Sequence, residues 1–122
     1  MSLYDRPTLG ELLAAVRAYV VDEVAATTKD RRARFRALIA ANVLEIAQRE
    51  LVNAEADAAA EDSALRALGY EGGSCDERRL ALCTDVRAGK YDAPDRLSAA
   101  FEYARAMTLR KLAVSNPRFV TD

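Results

Sequence analysis

Any chemistry in this 122-residue chain proceeds without histidine, which the sequence lacks. Histidine is the usual general base near neutral pH and the commonest metal ligand, so Ser-His and Cys-His nucleophile pairs are excluded. Cys75 and Cys83 have neither a zinc-ligand spacing nor, on one helix, the proximity that a disulfide needs. Gly72 and Gly73 lack the lysine and further glycines of a phosphate-binding loop. We therefore expect no catalytic residues, no metal, no cofactor and no enzyme activity.

The densest basic cluster, KDRRARFR, occupies residues 29–36. Arg31 and Arg32 stand at the start of a predicted helix, where the helix dipole favours anions by about 0.3–1 kcal/mol per charge. Three interpretations are open: a solvated or ion-paired face, a contact with an acidic protein surface, or a phosphate site. Nucleic acid is not expected as a partner, because Phe35 is the only aromatic residue in the cluster and the net charge is −1.

Asn42 interrupts an apolar stripe at helical spacing, so burial is expected for its amide. A buried amide without partners costs about 1–3 kcal/mol. Asn42 is therefore expected to contact a ligand in a cleft, to form a structural hydrogen bond to a neighbouring backbone, or to set the helix register as a polar core residue. Arg6 precedes the first helix, and Lys111 and Arg118 lie near the end of the last. Asp5 and Arg6 are expected to pair with this C-terminal tail and so to tether the two chain ends. Alternatively, Arg6, Lys111 or Arg118 binds the anionic head of a ligand.

Apolar periodicity predicts five helices, over about residues 8–26, 30–52, 54–68, 75–88 and 94–115. Each helix has a local start signal, and two are followed by glycine. These signals are Thr8, Asp30, Asn53, Ser74 and Pro94 at the starts, and Gly69 and Gly89 after the ends. No run of alternating apolar and polar residues indicates a strand. The predicted fold is an all-α, single-domain antiparallel bundle of about five helices spanning residues 1–122.

Charge is unevenly distributed along the chain. Residues 53–77 hold seven acids and one arginine, whereas residues 78–122 hold nine bases and five acids. The acidic third helix is expected to lie against residues 31–36 or against the basic C-terminal helix, within the chain or across a homodimer. No apolar run approaches the ~20 residues that span a bilayer, and no signal-peptide pattern is present. With two unpaired thiols, these features favour the cytoplasm and no membrane partner.

Three stretches carry a family resemblance: DRPTLGELLAAV at residues 5–16, ANVLEI at 41–46 and KLAVSNPRF at 111–119. With them the chain resembles a bacterial family of small all-helical proteins classed as a domain of unknown function. Members of that family are encoded beside aminoglycoside-phosphotransferase-like kinases and acyl-CoA dehydrogenases. The resemblance implies an accessory role beside such an enzyme, and it implies no catalytic residue.

Residues and resemblance together predict a non-enzymatic accessory or interaction protein that is cytoplasmic and homodimeric. The alternative is a helical module that binds an acyl group or a phosphorylated metabolite in a groove between the first, second and fifth helices. Arg6, Lys111 or Arg118 would then contact the anionic head of the ligand. A third hypothesis, an enzyme that uses only carboxylates, lysine, tyrosine or cysteine, has no constellation in its favour.

Overall fold

The computed structural model describes residue 3 and residues 6–120, and within them all regular structure is helical, which confirms the all-α class. Asp5 lies outside the described residues, so the predicted tether through it is not described. Four α-helices and two other helical segments follow one another along the chain. They are α1 (Leu9–Tyr19) continuing as a π-helical segment (Val20–Ala25), α2 (Arg31–Ala67), α3 (Cys75–Arg87), α4 (Pro94–Ser115) and a 3-10 turn (Pro117–Phe119).

The predicted capping residues begin three of these helices. Thr8 Oγ1 accepts a 3.2 Å hydrogen bond from the Glu11 backbone N–H, and Glu11 Oε1 accepts one from the Thr8 N–H at 3.3 Å. Asp30 Oδ1 accepts a bond from the backbone N–H of Arg32 at 3.0 Å. Ser74 Oγ accepts a 3.1 Å bond from a backbone N–H three residues later. Each side chain satisfies a helical N–H that has no partner inside its own helix.

The predicted break at Asn53 is wrong, and α2 runs unbroken for 37 residues. The second and third predicted helices are therefore one, and the described residues hold four α-helices instead of about five. Residues 31–67 contain no glycine and no proline, and they are rich in alanine, the best helix former. An asparagine within such a run can act as an interior helical residue instead of a cap.

The predicted glycines end α2 and α3 as expected. Gly69 has a φ of 97° and Gly89 a φ of 84°, values in the left-handed region that glycine adopts without strain. After α2, the Tyr70 N–H bonds to the Leu65 carbonyl at 3.0 Å and the Gly69 N–H to the Arg66 carbonyl at 2.9 Å. This is the Schellman pattern, which satisfies two carbonyls at the helix end.

The chain divides into two compact units, residues 1–53 and 54–122. In the first unit, a Cβ built on Gly10 would lie 3.9 Å from Leu51 Cδ2, and Arg17 Nη2 lies 2.8 Å from Glu45 Oε1. These two contacts show that α1 and the first part of α2 run in opposite directions. The antiparallel arrangement of the whole bundle, and one domain over residues 1–122, stay predictions.

The second unit has a small core made by the end of α2 with α3 and α4. Its buried members are Leu65, Leu82 and Tyr91, with other half-buried side chains packed around them. Among the described residues, no helix combines the length and the apolarity that a membrane crossing requires.

Candidate interaction surface

Acidic residues of α2 are paired with bases of α3 and α4 in the second unit. Asp57 Oδ1 lies 2.8 Å from Arg110 Nη1 on α4. Glu61 and Asp62 pair with Arg79 and Arg78 of α3. The predicted contact between the acidic segment and the basic C-terminal helix is thus confirmed through Asp57. The bases of α3 also take part, which the sequence did not predict.

Glu61 collects hydrogen bonds from three side chains. Arg79 donates to both of its oxygens, with Nε 2.9 Å from Oε2. The Tyr103 hydroxyl donates to Oε2 at 2.9 Å, and the Cys75 thiol donates to Oε1 at 3.4 Å. Glu61 was not among the predicted site residues. The available signal was a cluster of acids on a helix in a chain with unevenly distributed charge.

The pKa shifts of Glu61, Tyr103 and Cys75 favour the protonation states that their hydrogen bonds require. The Arg79 hydrogen bonds lower the pKa of Glu61 to about 2, although burial acts in the opposite direction. Burial, and then the bond to Glu61, raises the pKa of Tyr103 to about 12. The same two causes raise the pKa of the Cys75 thiol. At neutral pH the cluster therefore holds a carboxylate, a phenol and a thiol, and none of them is poised to accept or release a proton.

Two tyrosines join the loops that follow α2 and α3. The Tyr70 hydroxyl donates to Asp85 Oδ2 at 2.7 Å and lies 2.8 Å from the Tyr91 hydroxyl. Tyr70 and then Lys90 lower the pKa of Asp85 by hydrogen bonding to its carboxylate. Burial is the main cause that raises the pKa of Tyr70. This contact holds the loops against the core of the second unit.

Arg78 is buried, with 8% of its surface exposed, and its guanidinium anchors the glycine loop to α2. Nη1 donates to the carbonyls of Gly72 and Gly73, at 3.3 and 2.5 Å, and Nη2 bonds to Asp62. The same loop borders an open cavity of about 300 Å³. None of the six residues predicted to bind a ligand or partner lines this cavity. Arg78, which lines the cavity, already donates its hydrogen bonds to Gly72, Gly73 and Asp62.

The six predicted site residues are divided between the two units, and all six are exposed. Arg6 pairs with Glu11, its Nη2 2.7 Å from Oε2. Arg31 and Arg32 lie in the first turn of α2, where they are accessible to a partner. Lys111 lies on α4 and Arg118 in the 3-10 turn. Asn42 lies in the middle of the first part of α2.

The expected burial of Asn42 is wrong, because α2 turns its apolar stripe toward solvent. We call this surface the α2 stripe; it comprises the exposed residues Phe35, Leu38, Ile39, Asn42 and Val43 and the half-buried Ile46. Phe35 is 64% exposed and Val43 56%, and Asn42 is exposed between them. The buried residues of this part of α2 are Ala37 and Ala41. At about 100° per residue these alanines lie roughly 160° and 120° around the helix from Phe35. Helical periodicity locates a stripe but does not say which face of the helix packs inside.

Among the described residues of the first unit, no side chain larger than alanine is buried: the buried residues are Ala25, Ala37 and Ala41. Helix α1 adds a second exposed apolar face to that of α2. Its members are Leu9, Leu12, Val16 and Tyr19. Contiguous exposed apolar surface on a folded protein is a mark of a binding surface. The second unit also exposes large apolar side chains, among them Leu80, Leu97 and Phe101, but it has a buried core of its own, so the first unit is the candidate interaction surface.

Fold and surface together define an all-α protein with a polar network in one unit and uncovered apolar helix faces in the other. Residues 26–119 match the family described as Domain of unknown function (DUF6285), and the chain belongs to that family. The match confirms the resemblance to a domain of unknown function; it includes the α2 stripe and the closing motif, while residues 5–16 precede it. Comparison with curated proteins found no match. Comparison with solved structures also found none.

Proposed function

We propose that the chain is an interaction protein, which acts by binding other proteins and not by catalysis. The observation that carries this proposal is the burial pattern of the first unit: among its described residues the buried ones are all alanines, while large apolar side chains of α1 and α2 are exposed. Burying a fully exposed Leu, Ile or Phe side chain contributes about 1.5–3 kcal/mol, and covering one that is half exposed contributes roughly half of that. A protein surface laid on these helices would supply burial that the unit does not obtain alone.

Two kinds of partner fit the proposal. One is a second copy of the chain, which makes the protein a homodimer. The other, implied by the family resemblance, is the neighbour-encoded kinase-like or acyl-CoA dehydrogenase protein, beside which the chain acts as an accessory subunit. The chain would meet either partner in the cytoplasm, where the free thiols Cys75 and Cys83 stay reduced.

Co-expression of the tagged chain with its neighbour-encoded enzymes tests this function. The chain offers two matched phenylalanines: Phe35 on the α2 stripe is 64% exposed, and Phe101 on α4 is 62% exposed. We expect the wild type and Phe101→Glu to keep their partner, either an enzyme retained through purification or a second copy detected by sedimentation, and we expect Phe35→Glu to lose it. Equal retention by both variants would overturn the proposal for this surface. So would a wild type that retains no enzyme and is monomeric at every concentration.

A further inference from the structure

We infer that the α2 stripe binds a second copy of this chain, with the two α2 helices antiparallel and the two Asn42 side chains facing each other across the twofold axis. The inference rests on the proposed function and names the partner of one surface. It draws on the chemistry of Asn42, the charge distribution along α2 and the spacing of Arg32 and Glu50.

Asn42 is the polar residue at the centre of an exposed apolar surface. An amide offers both donors and an acceptor, so it can pair with its own copy without any other group. A twofold axis through such a position makes the contact self-complementary. An amide left unpaired in an apolar interface is unfavourable, so registers that bring the two amides together are preferred. A lone asparagine sets the register of paired helices in this way.

The charge along α2 favours the antiparallel direction. Residues 29–36 carry five bases and one acid, a net charge of +4, whereas residues 45–57 carry four acids and one base. Glu45 and Asp57 pair with Arg17 and Arg110 of the same chain, so the acids of this segment that remain for a partner are Glu50 and Glu55. Antiparallel helices centred near Asn42 place the basic end of each copy over the acidic end of the other. Parallel helices would place like charges together at both ends, which is unfavourable.

Arg32 and Glu50 give this charge complementarity a specific pair. They are 18 residues apart, which is about five full turns at 3.6 residues per turn, so the two side chains lie in line along α2. The midpoint between them is residue 41, next to Asn42. A twofold axis at that point brings Arg32 of one copy near the partner's Glu50, and the symmetry repeats the pair. Both residues are exposed in the single chain.

Cysteine cross-linking tests the direction and register of the helices. In a chain with Cys75→Ser and Cys83→Ser, we expect Asn42→Cys to form a disulfide-linked dimer under mild oxidation. Arg32→Cys should not cross-link, because antiparallel helices centred on Asn42 hold the two copies of residue 32 about 30 Å apart. A disulfide needs Cα atoms within roughly 7 Å. The double variant Arg32→Cys with Glu50→Cys should cross-link. The Cys75→Ser protein alone, which keeps the exposed Cys83, reports on random collisions.

The outcomes separate this inference from the proposed function. Cross-linking of Arg32→Cys alone shows parallel helices and overturns the inference. A dimer in sedimentation in which neither Asn42→Cys nor the double variant cross-links overturns it too, while leaving a protein-binding function standing. A chain that is monomeric alone, yet loses an enzyme partner on Phe35→Glu, assigns the stripe to that partner and not to a second copy.

Charge reversal supplies a second measurement without cysteines. At low salt, Arg32→Glu and Glu50→Arg should each raise the dimer dissociation constant by about threefold to tenfold, because each breaks a symmetric pair of rim contacts. The double reversal restores opposite charges and should return the constant to within about twofold of the wild type. A double variant that dimerises no better than either single variant contradicts the Arg32–Glu50 pair.

Discussion

Glu61 is the residue on which the polar contacts of the second unit converge. Its carboxylate links Arg79 and Cys75 of α3 to Tyr103 of α4, and all three side chains donate hydrogen bonds to it. The carboxylate is 17% exposed and Arg79 45% exposed. Because water reaches the arginine, this is a partly screened ion pair whose contribution lies below that of a fully buried one.

Acid should remove the contribution of Glu61 to stability. Its pKa falls from 4.5 to about 2 on folding, so the unfolded chain binds more protons between these values. The stabilisation is then complete above about pH 4.5 and is lost as the pH falls toward 2. We expect Glu61→Gln to lower the free energy of unfolding by on the order of 1–3 kcal/mol at pH 6, with the gap to wild type closing toward pH 2.5.

Urea unfolding at a series of pH values measures that gap. Glu55→Gln is the matched control, since Glu55 is an exposed carboxylate on the same helix. Its gap to wild type should stay small at every pH in the series. A Glu61→Gln curve that runs parallel to the wild type from pH 6 to pH 2.5 contradicts the assignment.

At the scale of elements, α2 unites two segments that were predicted as separate helices. It is a single helix through Asn53, where a cap was predicted. A cap position and an interior position give opposite expectations for the replacement of Asn53 by alanine. An N-cap asparagine stabilises a helix start, whereas an interior asparagine is a poorer helix former than alanine.

Asn53→Ala should therefore leave the free energy of unfolding unchanged or raise it by up to about 0.6 kcal/mol. Asp30→Ala is the contrasting variant, because Asp30 Oδ1 accepts the 3.0 Å bond from the Arg32 N–H at the true start of α2. We expect that variant to lose about 0.5–2 kcal/mol. Urea unfolding of both at neutral pH provides the comparison. A loss at Asn53 equal to the loss at Asp30 would show that a helix begins there after all.

At the scale of the whole molecule, the contrast between the two units matters most. The second has Leu65, Leu82 and Tyr91 in a core and a polar network beside it, whereas the buried residues among those described in the first are all alanines. A complex that covers the α2 stripe binds the folded state and not the unfolded chain, so it should raise the melting temperature in a concentration-dependent way.

We expect the melting temperature of the wild type to rise by several degrees between micromolar and submillimolar protein, as mass action requires for a dimer. Phe35→Glu should abolish this dependence, because it places a charge in the proposed contact. Phe101→Glu should preserve it, since Phe101 is similarly exposed but lies on α4 in the second unit. Scanning calorimetry over that range checks the set. A wild-type melting temperature that does not change with protein concentration contradicts self-association over that concentration range.

Much of the fold could be predicted because its signals are local. Thr8, Asp30 and Ser74 bond to backbone N–H groups two or three residues away, and Gly69 and Gly89 adopt left-handed conformations just after helix ends. The predicted break at Asn53 was wrong because local signals were insufficient there: an asparagine inside an alanine-rich run has no local feature that decides between a cap and an interior position. The π-helical segment at Val20–Ala25 likewise had no signal that periodicity could report.

The amino-acid sequence by itself determined the all-α class and most helix ends, because capping and periodicity act within one or two turns. Only the tertiary structure decided which face of α2 packs, since Ala37 and Ala41 are buried while the larger stripe around Asn42 is exposed. It also decided that Glu61 meets Arg79 and Tyr103, residues 18 and 42 positions along the chain. Such partners depend on how helices are brought together, and neither the spacing nor the type of a residue records what will lie across from it.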